Sequence, residues 1–544
     1  MAAWTQEVLK VSLSKHCRKD DRIIQYGTAG FRTKAAFLDH VMYRMGVLAV
    51  LRSKVKKATI GVMITASHNP EEDNGVKLVD PFGEMLEVSW EKIATDLANA
   101  KEDDLEKVLL DLVTSKGIDM AAPANVVVGM DTRPSSASLS QAVQDGVKAT
   151  GGKLTDYGVV TTPQLHYMVR CINTNNAYGI PTEEGYYQKL AKAYLSLNDK
   201  KENLGGYKPE LKLDGANGVG ADAVKKFLPH LKDALQVQIF CDGSGKLNFQ
   251  CGADFVKSSQ RAPIGIDLQP GHRYASFDGD ADRIVYYFAN KDGTFQLLDG
   301  DKIATLVAAY LKDLINASGL SINIGLVQTA YANGSSTDYI NNTLKVPVAC
   351  VATGVKHLHH KATEYDVGVY FEANGHGTVL FSDEVINKIN NAVKDSNICQ
   401  SARQALERLQ AVIDVINQTV GDALSDLLLV ETVLRAKGWN CEDWNNAYKD
   451  LPNRQMKVKV KDRTVIKTTD AERRTTSPAG LQEAIDEIVQ KYPKGRSFVR
   501  PSGTEDVVRV YAESTSQEST DRLAVEVGLK VYELAGGTGD KPSL

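Results

Sequence analysis

No stretch of the sequence has the apolar length needed to cross a bilayer, and the opening MAAWTQEVLKVSLSKHC lacks the basic segment and apolar core of a secretion signal. A cytoplasmic protein without membrane association is expected. Cysteine is scarce: Cys17, Cys171, Cys241, Cys251, Cys350, Cys399 and Cys441 are odd in number, scattered, and include no C-x-x-C pair. That argues against a disulfide framework, a zinc ribbon or a redox motif. Neither sign of charge dominates, with 64 basic against 68 acidic residues and a net charge of -4, so nothing marks the chain for nucleic acid or anionic lipid. Internal repeats and long low-complexity segments are missing too. His357, His359 and His360 sit close together but have no partner cluster at zinc-site spacing. What remains is a chain suited to a small-molecule ligand, and its 544 residues are enough for three or four packed domains.

What the chain does have is alternation. Phe37, Val41, Met45 and Leu48 recur at helical spacing, and ATIGVMIT then reads as a buried strand leading to a loop at Ala66. The pattern returns at NVVVGM before Asp131, ELKLD before Gly215, INIGLVQT before Ala330 and VGVYFE before Ala373. Such alternation predicts α/β domains with largely parallel sheets, in which ligands collect at the carboxyl ends of the strands. The polar motifs fall there. Changes of character at SLNDKKENLGGYKPE, DGTFQLLDGDK and LPNRQMKVKVKDRT predict divisions into residues 1–180, 181–297, 298–455 and 456–544.

Four motifs carry chemistry. TASHNPEEDNGVKL places Ser67 after an apolar strand in a loop whose Asn69, Pro70, Asn74 and Gly75 suit a tight, exposed turn. Alone, Ser67 reads equally as a turn cap. With His68 beside it and Lys77 returning on the next strand, a cation would stand by the oxygens of a phosphorylated hydroxyl. No G-x-S-x-G elbow surrounds it, so an acyl-enzyme is a poor fit. FDGDADR alternates Asp278, Asp280 and Asp282 in a short loop between two apolar strands, where three unpaired carboxylates are costly without a cation. These hard oxygen ligands suit Mg²⁺, whereas an EF-hand loop would need Glu at the position held by Ala289. SFVRPSGTEDVVRVYAE brings Arg500, Pro501, Ser502, Gly503, Thr504 and Arg509 together, a donor set for a phosphate monoester. VYFEANGHG sets Glu372, Ala373, Asn374 and His376 around two glycines, which reads either as a grip for sugar hydroxyls or as a glycine-rich hairpin. Weaker signals are Arg32 in QYGTAGFR and the pair Asp131 and Arg133 in VGMDTRPSS, for which buttressing and ligand contact both stand. LDGANGVG does not match G-x-G-x-x-G and reads as a turn.

Taken in order, TASHNP, DGDADR, FEANG and RPSGTE resemble the motifs of the α-D-phosphohexomutases from Gly27 to Arg509. Asn374 in the sugar loop, and Ser67 preceding rather than following the D-x-R strand of Asp131 and Arg133, are similar to the acetylglucosamine branch of that family. The resemblance implies a four-domain architecture around a central cleft: three α/β mixed-sheet domains and a smaller α+β C-terminal domain. It implies one Mg²⁺ on Asp278, Asp280 and Asp282 that also touches phosphorylated Ser67. Lys77, His68 and Arg32 would assist catalysis, and Glu372, Ala373, Asn374, His357 of TGVKH and the Arg500 to Arg509 loop would bind substrate. The implied reaction interconverts N-acetylglucosamine 6-phosphate and 1-phosphate through a 1,6-bisphosphate, serving UDP-N-acetylglucosamine biosynthesis. A mutase of another hexose or hexosamine phosphate, a phosphatase using the same serine, and a non-catalytic phosphosugar sensor are the rival readings.

Overall fold

The computed structural model describes residues 3–198, 204–502 and 506–544. The chain forms two compact units. The first comprises Met1–Asp299, Asn374–Thr378 and Gln410–Cys441, and the second Gly300–Ala373, Val379–Leu409 and Glu442–Leu544.

The first unit holds two five-stranded sheets. Strands β1 (Phe31–Lys34), β2 (Ile60–Ile64), β3 (Asp73–Val79), β4 (Asn125–Met130) and β5 (Lys153–Val159) are ordered β1-β3-β2-β4-β5. Pairing is parallel for β2 with β4 and β4 with β5, and antiparallel for β3 with both β1 and β2. Strands β6 (Glu210–Asp214), β7 (Gln236–Phe240), β8 (Tyr274–Phe277), β9 (Ile284–Ala289) and β10 (Phe295–Leu298) are ordered β10-β9-β8-β6-β7. Here β6 is parallel to β7 and β8, while β8, β9 and β10 run antiparallel. The expectation of largely parallel sheets is therefore corrected to mixed ones. The loops carrying Ser67 and the three aspartates are too short for a crossover, so each returns its strand as a hairpin.

Packing in the first sheet domain depends on backbone contact between the helices Asp39–Lys56 and Ser136–Ala149. A Cβ at Gly46 would lie 2.1 Å from the Val143 carbonyl oxygen, and one at Gly146 would lie 2.1 Å from that of Tyr43. Only glycine lets the two helices approach this closely. The returning helix Ala423–Lys437 completes the second sheet. Its fully buried Glu431 accepts hydrogen bonds from Arg273 (2.6 and 2.8 Å), Tyr207 (2.9 Å) and Tyr286 (3.3 Å), so a buried carboxylate is both paired and solvated by protein. At the helix start the Ala423 N–H donates to the Ala281 carbonyl (3.0 Å) inside the aspartate loop.

The second unit contains a four-stranded sheet of β11 (Ile324–Thr329), β12 (Val348–Val351), β13 (Val367–Phe371) and β14 (Gly377–Phe381), ordered β12-β11-β13-β14, with β11 parallel to β12 and β13. A three-stranded antiparallel sheet follows, from β15 (Asn453–Lys459), β18 (Arg496–Pro501) and β19 (Val507–Glu513), with β19 central; between β15 and β18 lies the hairpin of β16 (Lys467–Thr469) and β17 (Arg474–Ser477). Val458, Val499, Val508 and Val510 face the helices Leu481–Val489 and Gln517–Leu534, and the alternate residues point the other way. No helix among the described residues is long and apolar enough to cross a membrane.

Candidate active site

Ser67 stands in the loop from β2 to β3 with φ of 53°, a left-handed conformation that turns its hydroxyl back into the protein. The expected exposed turn is corrected: Ser67 is 0% exposed. The cause is the aspartate loop between β8 and β9, where a Cβ at Gly279 would lie 2.5 Å from the Ser67 carbonyl oxygen. Ser67 Oγ is 2.8 Å from Asp280 Oδ1, 3.2 Å from Asp278 Oδ2 and 3.5 Å from Asp282 Oδ1. One oxygen from each of the three aspartates lies within 4.8 Å of the others. Lys77 on β3 reaches Asp280 and Asp282, each at 3.2 Å.

The loop is buttressed from its own domain. The Ser67 N–H donates to Thr65 Oγ1 (3.0 Å), which donates to Asp131 (2.8 Å). Arg133 donates to Asp131 (3.0 Å) and to the carbonyls of Ser67, Asn69, Pro70 and Asp73 at 2.6 to 3.2 Å. All five guanidinium donors are thereby engaged, which decides between the two readings of the Asp131 and Arg133 pair in favour of support. Sequence reasoning missed Thr162 and Asn248. Thr162, the first residue of the helix Thr162–Asn173, donates to Asp280 Oδ2 (2.6 Å); the capping box of Thr161 and Gln164 was its only signal. Asn248 donates to the carbonyls of Ser67 (2.8 Å) and Asn69 (3.0 Å), and nothing in its sequence surroundings announces it.

The motif FEANGHG divides between the units. His376 and Asn374 belong to the first, where His376 Nδ1 lies 3.4 Å from Asp282, so the imidazole addresses the aspartate loop. Glu372 and Ala373 belong to the second unit, at the end of β13, and the Ala373 carbonyl accepts from Gly300 N–H (3.4 Å). His357 is exposed on the helix Val355–Ala362, while His359 Nδ1 is turned to the Tyr370 hydroxyl (3.0 Å).

The phosphate motif occupies the sheet of β15, β19 and β18. Arg500 stands directly opposite Arg509, and Arg509 directly opposite Lys457, so three cations cross the sheet in one row on the face away from the helices. Like charges at such positions repel, and an anion over the row relieves them. Lys457 is a further residue not picked out by the motif. Arg500 Nε donates to Glu472 (3.1 Å), whose other oxygen accepts the Thr353 N–H (2.9 Å) of the TGVKH segment. Pro501 ends β18, and the Ser502 N–H donates to the Val507 carbonyl (2.9 Å). Gly503 and Thr504 lie outside the described residues.

Four family models match the chain. They are Phosphoglucomutase/phosphomannomutase, alpha/beta/alpha domain I, over residues 40–104 and 105–180; Phosphoacetylglucosamine mutase AMG1, domain II, over 176–285; AMG1, domain III, over 299–439; and Phosphoglucomutase/phosphomannomutase, C-terminal domain, over 456–529. The phosphoacetylglucosamine mutase of Homo sapiens is 58% identical over 528 residues, 97% of each chain. The chain belongs to the phosphoacetylglucosamine mutase family. A crystal structure of N-acetylphosphoglucosamine mutase from Aspergillus fumigatus in complex with GlcNAc-6P and magnesium shares the fold with a TM-score of 0.93 at 48% identity, covering 98% of this chain and all of that one. A serine-to-alanine variant of the Aspergillus enzyme in complex with glucose 1,6-bisphosphate matches with the same TM-score at 47% identity, with the same coverage.

Electrostatics explain how a member of this family keeps three carboxylates together. Burial, then the neighbouring Asp282 and Asp280, push Asp278 well above the usual carboxylate range. Burial acts the same way on Asp282, but Lys77 and His376 outweigh it and hold that group well below its ordinary value. Burial would lower Lys77, yet Asp280 and Asp282 keep it above the ordinary lysine value, so it stands as an ammonium. The three carboxylates thus do not share one charge state without a further cation, and their all-oxygen donor set fits a hard divalent one. Arg283 and then burial push His68 down to about 2, so this imidazole is neutral and has no imidazolium proton to give. Burial and Arg283 also lower Arg32. The buried Nδ1 of His68 and Nε of Arg32 have no hydrogen-bond partner, which suits a site completed by a polar ligand.

Proposed function

We propose that this chain interconverts N-acetylglucosamine 6-phosphate and N-acetylglucosamine 1-phosphate, with Ser67 as the phosphoryl carrier and a 1,6-bisphosphate as intermediate. The observation that carries the reading is the Ser67 hydroxyl held 2.8 and 3.2 Å from Asp280 and Asp278, with the Lys77 ammonium on Asp280 and Asp282. In the forward direction the phosphoryl group of phosphorylated Ser67 passes to O1 of the sugar, and the 6-phosphoryl group then returns to Ser67. Lys77, held as an ammonium, gives its proton to Ser67 Oγ as the phosphoryl group leaves, and the O1 hydroxyl proton passes to solvent as the new O–P bond forms. The Ser67 proton goes back to Lys77 when the 6-phosphoryl group returns, while O6 takes one from solvent. Arg32 and neutral His68 offer N–H groups to the transferring oxygens. Asp278, Asp280 and Asp282 would hold Mg²⁺ beside Ser67, where it would supply neutralising charge for the phosphoryl group. Arg500, Pro501, Ser502, Gly503, Thr504 and Arg509 hold the phosphate that is not reacting, and Glu372, Ala373, Asn374 and His357 read the sugar.

This reading keeps the domain divisions near 180, 297 and 455, and takes the enzyme as cytoplasmic with no nucleic-acid or membrane partner. A coupled assay supplies the 6-phosphate with Mg²⁺ and detects the 1-phosphate. Turnover lost in Ser67→Ala is the expected result. Release of inorganic phosphate without isomerisation would favour a phosphatase, and unchanged turnover in Ser67→Ala would end the phosphoserine mechanism.

A further inference from the structure

A second group of ligating side chains is buried in the first unit, beside the strand that leads into the aspartate loop. Asp214 ends β6, Cys241 follows the neighbouring parallel strand β7, and Cys251 precedes the helix Ala253–Ser259. A carboxylate oxygen of Asp214 and the two sulfurs lie within 4.8 Å of one another. Asp214 and Cys251 are 0% and 2% exposed, while Cys241 is half-buried and gives access from solvent. The Asp214 carboxylate is fixed by the N–H groups of Ala216 (2.8 Å) and Gly252 (2.7 Å) and by Ser276 Oγ (2.7 Å), the outer support that orients a metal ligand. Oδ2 carries two of these bonds and Oδ1 one, which leaves Oδ1 a further lone pair. The thiols lie against each other and Cys241 against Asp214, with longer contacts from Asn217 Nδ2 at 3.7 Å to Cys251 Sγ and from Cys241 Sγ to the Ile264 carbonyl at 3.9 Å.

We propose that Asp214, Cys241 and Cys251 bind one thiophilic divalent cation of the zinc class, with water as the fourth ligand. Two thiol protons leave to solvent as two sulfur-to-metal bonds form, and no electron changes hands. Because loading releases two protons, it strengthens as pH rises. The site has a mechanical reach. The two cysteines bracket residues 242–250, which carry Asn248 on the Ser67 and Asn69 carbonyls and Lys246 on Glu72 (2.6 Å). A cation joining both ends would hold that segment against the Ser67 loop.

The test uses the full chain, saturated with Mg²⁺ and titrated with Co²⁺. A sulfur-to-cobalt charge-transfer band that saturates at one equivalent, is displaced by Zn²⁺ and is lost in Cys241→Ser and Cys251→Ser is expected, since cobalt on the aspartates gives no such band. In the wild type, Zn²⁺ should also protect Cys241 from maleimide and slow amide exchange over 242–250. Absence of the band, a band unchanged in Cys241→Ser, or a Cys241 to Cys251 disulfide in aerobically purified protein would overturn the proposal. Cys241 is the less buried of the two, so its variant keeps the test open if Cys251→Ser fails to fold.

Discussion

Lys77 is where a single atom decides most. Its ammonium is shared between Asp280 and Asp282 and held charged by them, so Lys77→Met removes their counter-charge and, in the proposed mechanism, the proton donor. We expect kcat to fall by about 10² to 10⁴, the range for a lost general acid, with a smaller change in KM. Steady-state kinetics on the purified variant check this, and a change confined to KM would reassign Lys77 to binding. Thr162 offers a subtler test. Thr162→Val keeps the shape and removes the 2.6 Å hydrogen bond to Asp280, and about 1.5 to 3 kcal/mol for a bond to a charged acceptor predicts activity reduced by roughly 10-fold or more. At this scale the sequence was most legible where chemistry is written in consecutive letters, as in TASHNP and DGDADR. It was least legible where the partner arrives from elsewhere, as with Thr162 and Asn248. The contact of His376 with Asp282 was not legible either, because spacing along a chain cannot say that Asn374–Thr378 packs with the unit of Asp282.

Among elements, the sheet of β15, β19 and β18 separates stability from function. Arg509→Gln relieves repulsion along the row of Lys457, Arg509 and Arg500, so the melting temperature should not fall, while KM for the phosphosugar should rise by about 10-fold or more through a lost charge-assisted contact. Calorimetry and kinetics on the same sample decide; a lower melting temperature with unchanged KM would make Arg509 structural. The opposite separation is expected at the glycine crossing. Gly46→Ala forces apart the helices Asp39–Lys56 and Ser136–Ala149, and overpacking of this kind costs about 1 to 3 kcal/mol. Chemical denaturation should show the loss while the Ser67 loop keeps its activity per folded molecule. Helices and strands were readable from periodicity, and strand direction was not. Antiparallel β3 and β9 follow from loop lengths that become constraints only once both strand ends are known.

Across the whole molecule, acid should destabilise through buried imidazoles. His40 and His166 are both held at about 4, chiefly by burial, and each has a buried Nε2 without a partner. The unfolded chain binds these protons near the ordinary histidine value of about 6.5. Protons therefore favour the unfolded state as pH falls through that value, and stability present above pH 6.5 is progressively lost toward pH 4. Calorimetric melting between pH 7.5 and 5 should show a steady decline that is shallower in His166→Asn; a flat profile would remove the buried histidines from the account.

The return of helix Ala423–Lys437 to the second sheet has a consequence for biogenesis. A nascent chain that has emerged only as far as Asp299 already contains Ser67 and all three aspartates, yet it lacks the Glu431 that accepts from Arg273 and the Ala423 N–H that grips the aspartate loop. Arg273 would then be a buried cation without its counter-ion, a state the fold cannot hold. The aspartate loop therefore reaches its final arrangement only after the ribosome has passed Cys441, and truncated translation products carry Ser67 and the three aspartates without the contacts that hold them.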